Sequence, residues 1–223
     1  VSGVAHEVRN PLFGISATLD ALEELHGREV ELAEFLTIMR QQVLRLSNLM
    51  HDLLVYGRPA EIARHSTAVG DLLDEAIAMN AALASECGVA VARQIAEDLP
   101  EVSVDAPRVV LALRNVLDNA LRFTPRGGTI RASAARESSA MGELVRIEVE
   151  DQGAGFPAED LPHVFEPFFT RRRAGTGLGL SIVERCMAQH GGSATAGNRP
   201  AGGAVVTLRI PVDSPSAPET HEA

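Results

Sequence analysis

Five stretches hold residue types whose spacing could do chemistry, and the first is Ala5-His6-Glu7-Val8-Arg9-Asn10-Pro11-Leu12. Apolar residues at 1, 5, 8, 12, 15, 19 and 22 step alternately by four and three, so they form one helical seam. His6 stands next to that seam and is expected to face solvent. An exposed imidazole, with an ordinary pKa of about 6.5, is mostly neutral at pH 7 and is a competent nitrogen nucleophile towards a phosphoryl group. Glu7 could accept a hydrogen bond from the ring and raise its nucleophilicity. Asn10 lies at i+4 from His6 on the same helix face. Pro11 removes a backbone N–H, which in a helix interior costs about 3 kcal/mol and asks for a reason. Taken alone, an exposed histidine is more often plain surface.

Asn115, Asn119, Arg122 and Phe123 fall at i, i+4, i+7 and i+8, on one face of a helix. Amide oxygens suit a hard cation such as Mg²⁺, which takes one or two protein ligands plus phosphate oxygens. Arg122 could reach a phosphate and Phe123 could lie against a base. A polar helix face with one buried Asn would look the same. Asp151-Gln152-Gly153-Ala154-Gly155 ends an alternating strand. A carboxylate there could accept from an exocyclic amine such as the N6 of adenine, with Gly153 and Gly155 letting backbone and ligand come close. A strand-ending turn is the plain alternative. Gly175-Thr176-Gly177-Leu178-Gly179-Leu180 opens a helix, whose leading N–H groups attract phosphate. It lacks the preceding strand and downstream acid of a dinucleotide fingerprint. Arg171-Arg172-Arg173 just before it could neutralise a triphosphate, or could be a solvated charge run. Val164 to Phe169 holds three of the seven Phe, either as core or as the apolar base of a mobile loop over a ligand.

The elements that must position these groups follow from periodicity and punctuation. Residues 1–26 and 30–56 carry matched apolar seams, the second through Leu32, Leu36, Met39, Val43, Leu46, Met50 and Leu53. Joined near Gly27, they predict an antiparallel helical hairpin. A lone hairpin cannot enclose its seams well, so two chains are expected to form a four-helix bundle; an intramolecular bundle with the rest of the chain is the plain alternative. Tyr56-Gly57-Arg58-Pro59 ends the second helix. Beyond it the pattern predicts a helix over 71–84, a strand over 89–95, and a helix capped by Asp105 with Pro107 in its first turn, running to Phe123. Strands follow at 129–135 and 144–150, a helix at 178–189, and strands at 193–196 and 204–210. The expected domains are therefore 1–60, 61–212, and a disordered Pro-, Ser- and Glu-rich tail over 213–223.

Composition narrows the chemistry. The 223 residues carry 20 basic side chains, all of them arginine, and a formal net charge of −10. Without lysine there is no Walker A loop, no protein-kinase strand lysine and no Schiff base. The acidic balance argues against a nucleic-acid partner. Cys87 and Cys186 have no metal-type spacing and are expected as free thiols. No apolar run approaches the ~20 residues of a membrane span, and no signal peptide is visible. A cytoplasmic location without direct membrane contact is expected. Beginning at Val1, the chain reads as a piece with something missing upstream.

Taken in order, the five stretches resemble the H, N, G1, F and G2 boxes of bacterial sensor histidine kinases. The H box resembles Ala5–Leu12, the N box Asn115–Ala120, the G1 box Asp151–Gly155, the F box Phe165–Phe169 and the G2 box Gly175–Leu180. The wording Phe-Glu-Pro-Phe-Phe-Thr looks most like the nitrogen-regulation and oxygen-sensing branch. The resemblance covers roughly residues 1–210 and implies a dimerisation and histidine phosphotransfer domain. An α/β sandwich of the gyrase, chaperone, histidine-kinase and mismatch-repair ATPase type then follows. It implies ATP and Mg²⁺ as cofactors, His6 as phosphoacceptor and Glu7 as acid/base helper. Asn119 is implied to hold the metal, with Asn115, Arg122 and Arg173 near the phosphates and Phe123 in the nucleotide site. Asp151 is implied to read adenine. Gly175, Thr176, Gly177, Leu178, Gly179 and Leu180 are implied to cradle phosphate under a lid over 156–174. Asn10 stands where the family places the residue for dephosphorylating its partner, an aspartate-bearing response regulator on a separate chain. Arg122 and Arg171–Arg173 replace lysines common in relatives, which keeps charge but changes geometry. An ATPase of the same nucleotide fold would be expected to carry a glutamate at 115 to activate water, and would leave His6 without a role.

Overall fold

The computed structural model describes residues 14–24, 30–57, 62–140, 142–172 and 175–212. The chain separates into two compact units, Val1–Pro59 with Glu166–Ile182, and Ala60–Phe165 with Val183–Ala223.

In the first unit, α1 (residues 14–24) and α2 (Val30–Gly57) are the two expected helices. They meet through Arg40, whose guanidinium pairs with Asp20 at 2.7 Å and with Glu23. Leu19 and Leu36 are buried at 2% and 4%, as their seam positions require. Ile15, Leu22, Met39 and Leu46 belong to the same seams yet remain 37–51% exposed. Much of the apolar stripe of this hairpin is thus open among the described residues.

The second unit is a helix layer on a sheet. The main sheet runs β2-β4-β5-β7-β6, formed by Ala90–Ile95, Thr129–Ser139, Gly142–Glu150, Ala204–Pro211 and Ser193–Asn198 respectively. Only β2 and β4 are parallel; the other pairs are antiparallel. Ile130, Val145, Ile147, Val149 and Leu208 are buried on its inner face, beneath α3 (Val69–Met79) and α5 (Ala106–Phe123). The outer face alternates polar residues, tied across strands by Arg146–Glu137, Arg209–Glu137 and Arg131–Glu150 pairs, while Arg146 also pairs with Glu148 along β5. A separate two-stranded ribbon pairs β1 (His65–Thr67) with β3 (Val102–Val104).

Asp105 caps α5 as expected, its side chain accepting from the Arg108 N–H at 3.3 Å. The Asp105 N–H donates to His190 Nε2 at 3.0 Å, so the proton of this buried ring sits on Nδ1, 2.7 Å from the Cys186 carbonyl. These bonds tie the start of α5 to the end of α6 (Gly179–Gln189). The Cys186 thiol is a free thiol, as is Cys87, and donates to the Arg108 carbonyl at 3.4 Å. Burial pushes the Cys186 thiol up to about 12.

Two expectations need correction, and one ribbon has no counterpart among them. The helix expected over 71–84 breaks at Asn80, giving α3 and a separate α4 (Ala81–Cys87). Asn80 is buried and turns its amide onto the Ala76 carbonyl at 2.9 Å, which competes with helix continuation. The ribbon β1–β3 has three residues per strand, too few for alternation to register. Strands β4 and β5 run on into a long hairpin over 136–143, whose ends are mostly exposed on both faces and so carry no apolar signal. The expected tail over 213–223 lies outside the described residues.

Candidate functional site

Helix α5 presents Asn115 and Asn119, both half-buried, one turn apart. Neither amide hydrogen-bonds to another described residue. Two half-covered amides whose oxygens are unengaged fit a hard cation that keeps most of its own waters and needs few protein ligands. Arg122, at the last turn, is exposed and pairs with Asp118 at 2.8 Å. That hydrogen bond raises the Arg122 guanidinium above its ordinary range, so the cation is held on the helix face. Phe123 closes the helix and is 53% exposed, an unusual position for so large an apolar ring. Thr124 caps the end, its hydroxyl donating to the Ala120 carbonyl at 2.8 Å.

The end of β5 meets this helix end. A side chain at Gly153 would begin 2.6 Å from the Phe123 carbonyl oxygen, so only glycine lets the loop pass. Asp151 is 7% exposed, and its Oδ1 accepts two backbone bonds, from Gly153 N–H at 2.8 Å and Ala204 N–H at 2.9 Å. Its Oδ2 takes no hydrogen bond from another described residue. A buried carboxylate with one oxygen saturated and the other open is built to take a donor from outside the chain. Gly155, in the left-handed region, lies against the Asn198 side chain.

The Gly-rich stretch folds on itself within the first unit. Gly177 has φ +71° and its carbonyl accepts from the Phe168 N–H at 2.9 Å. A side chain there would collide with the Phe168 backbone. Phe168 itself has φ 69° and is 59% exposed, a strained setting for a bulky residue. Thr176 Oγ1 accepts from the Leu178 N–H at 3.4 Å, and Gly175 N–H donates to the Arg172 carbonyl at 3.1 Å. Leu178 is fully buried and anchors the turn. The Ile182 N–H reaches the Leu178 carbonyl at 2.9 Å. The N–H groups of Gly179, Leu180 and Ser181, ahead of it, are those a helix leaves without intrahelical partners.

The structure therefore brings Asp151, Gly153 and Gly155 together with Phe123 at the end of the Asn115–Asn119 helix. Gly175 to Leu180 form a compact loop with Phe168. His6, Glu7, Asn10 and Arg173 lie outside the described residues. Sequence reasoning missed the β6–β7 turn, whose Asn198, Arg199 and Ala204 all bond to the Asp151–Phe156 loop. Asn198-Arg199-Pro200 followed by Gly202-Gly203 signals a turn, but nothing local says what that turn holds.

Residues 104–214 match the family model described as histidine kinase-, DNA gyrase B- and HSP90-like ATPase. Residues 1–61 match the His kinase A (phospho-acceptor) domain. The chain is 30% identical over 212 residues to the sensor histidine kinase ZraS of Escherichia coli, covering 95% of this chain and 45% of that one. It is also 30% identical over 215 residues to sporulation kinase D of Bacillus subtilis, at 96% and 41% coverage. Less than half the length of these relatives is spanned. The crystal structure of full-length ShkA in complex with AMPPNP is similar at TM-score 0.76 and 28% identity, covering 97% of this chain and 46% of that chain. The catalytic domain of histidine kinase ThkA is similar at TM-score 0.58 and 28% identity, covering 68% and 96%. The mixed sheet under α3 and α5 is thus the ATPase fold shared by gyrase, chaperone and histidine-kinase proteins, preceded by a phospho-acceptor helical region. With both domain models matched in this order, the chain is a histidine kinase catalytic core.

Proposed function

We propose that this chain autophosphorylates His6 from ATP and passes the phosphoryl group to an aspartate of a separate response regulator. The observation that carries the reading is the coexistence of a phospho-acceptor segment and an ATPase segment in one chain, with the Asp151 carboxylate held open at the second. Asp151 Oδ2 accepts from the adenine amine, and Phe123 lies against the base. The N–H groups at the head of α6 and the loop from Gly175 to Gly179 receive phosphate oxygens, and Arg173 and Arg122 add positive charge. Asn119 holds Mg²⁺ with Asn115 beside it, and the ion when bound neutralises charge on the phosphates. The His6 ring nitrogen attacks the γ-phosphorus, forming an N–P bond as the bond to ADP breaks, and Glu7 takes the ring proton. Transfer of this kind needs positioning and charge neutralisation more than covalent help. Asn10 serves the reverse task, dephosphorylation of the partner.

The exposed stripe of Ile15, Leu22, Met39 and Leu46 supports a homodimer in which two hairpins form a four-helix bundle. Among the described residues no helix is long and apolar enough to cross a membrane. Acceptance of label from ATP at His6 tests the proposal. Transfer of that label to a receiver domain tests its second half.

A further inference from the structure

We propose that the β6–β7 turn, Asn198 to Ala204, is the positioning device for the adenine-reading acid, with Arg199 and Asn198 as its positioning residues. The inference rests on the reading of Asp151 as the group that takes the adenine amine.

Asp151 itself is held from the turn at every polar atom but one, its Oδ2. Strands β5 and β7 pair as far as Glu150 with Val205. One step on, the Asp151 N–H donates to the Ala204 carbonyl at 2.9 Å, and the Ala204 N–H returns the bond to Asp151 Oδ1. The side-chain oxygen thus stands in for the next backbone carbonyl of the ladder. The Asp151 carbonyl itself accepts from Arg199 Nη1 at 2.6 Å. With N, O and Oδ1 all engaged, the carboxylate cannot rotate freely, and Oδ2 is the oxygen left for a ligand.

Arg199 is itself braced. Its Nε lies 3.3 Å from Glu150 Oε2, which also pairs with Arg131, and its side chain is 23% exposed. Its N–H donates to the Gly203 carbonyl at 2.9 Å, closing the turn. A planar fork can grip the Glu150 carboxylate and the Asp151 carbonyl at once; an ammonium group has no such fixed geometry. Gly203, at φ +91°, lies so close to the Asp151 carbonyl that a side chain there would collide with it.

Asn198 fixes the far end of the same loop. Its Oδ1 accepts from the Phe156 N–H and its Nδ2 donates to the Phe156 carbonyl, both at 2.7 Å. This reciprocal pair copies a strand pairing with one side chain. The loop from 151 to 156 is therefore pinned at both ends by adjacent residues of one turn.

A double-mutant cycle on the whole chain tests this, with ATP and GTP affinities read by displacement of a fluorescent nucleotide. Arg199→Met is expected to weaken ATP about tenfold while leaving weak GTP binding unchanged, and to add less than about twofold on top of Asp151→Asn. Arg199→Lys, milder for folding, is expected to show a smaller loss with the same dependence on Asp151. If Arg199→Met fails to fold, Arg199→Lys carries the test alone. Unchanged ATP affinity in the folded variants, or an equal loss in the wild-type and Asp151→Asn backgrounds, overturns the positioning role. Unchanged ATP affinity in Asp151→Asn instead overturns the reading of Asp151, and the positioning role falls with it.

Discussion

Substituting Asp151 by Asn separates recognition from stability at a single atom. The wild-type Oδ1 accepts from the Gly153 and Ala204 N–H groups, and an amide oxygen can accept both. The change falls on Oδ2, which becomes an NH₂ and meets the adenine amine donor to donor. A hydrogen bond to a charged group contributes about 1.5–3 kcal/mol. At 1.4 kcal/mol per tenfold, ATP affinity should fall by about 10- to 150-fold. Fold stability should hardly move, with a melting temperature within about 2 °C of wild type. Asp151→Ala should behave differently, because it leaves two N–H groups unpaired at about 1–3 kcal/mol each. With about 2–4 °C per kcal/mol for a domain of this size, it should melt at least about 4 °C lower. Nucleotide titration and differential scanning calorimetry on the same samples read both quantities. The reasoning is refuted if Asp151→Asn binds ATP like wild type, or if it melts as low as Asp151→Ala.

Asn119→Ala should remove the Mg²⁺ dependence of ATP binding; titrations with and without Mg²⁺ that still differ as in wild type would take the metal away from Asn119. The chain should run as a dimer by light scattering, and Met39→Glu, on the exposed stripe, should shift it towards monomer; a wild-type monomer at micromolar concentration would contradict the bundle. With the Cys186 thiol raised from 9.0 to about 12, the folded state keeps a proton that the unfolded state loses over that range. Stability should therefore fall between pH 9 and pH 12, by up to about 1.4 kcal/mol per pH unit from this group. Denaturant melts of wild type against Cys186→Ala across that range measure it, and parallel slopes would refute it.

The parts of the fold that were legible in the sequence are those with strong local punctuation or long periodicity. Asp105 and Pro107 placed the start of α5, and the seams of residues 1–56 placed α2 almost to the residue. Asn80 was not legible as a break, because its effect depends on a buried amide finding the Ala76 carbonyl. The strands of the β1–β3 ribbon are held by each other rather than by any pattern of their own. The candidate site divides the same way. Asp151, Gly153 and the Asn115–Asn119 stripe announced themselves by type and spacing. Arg122 was expected near phosphate, and among the described residues it pairs with Asp118, a neighbour that spacing alone did not rank above a ligand. Arg199 and Asn198 lie more than forty residues from the loop they hold, as the Arg199–Asp151 and Asn198–Phe156 bonds span 48 and 42 positions. No local pattern reports such a contact.

The central claim is phosphoryl transfer from ATP to His6, and one labelling experiment meets it head on. The whole chain is incubated with γ-labelled ATP and Mg²⁺, and the product is split between acid and base. A label that acid removes and base leaves, absent from His6→Ala while that variant still binds ATP, is the predicted result. Label that survives in His6→Ala, or no label at all from a wild-type chain that binds ATP, would contradict it.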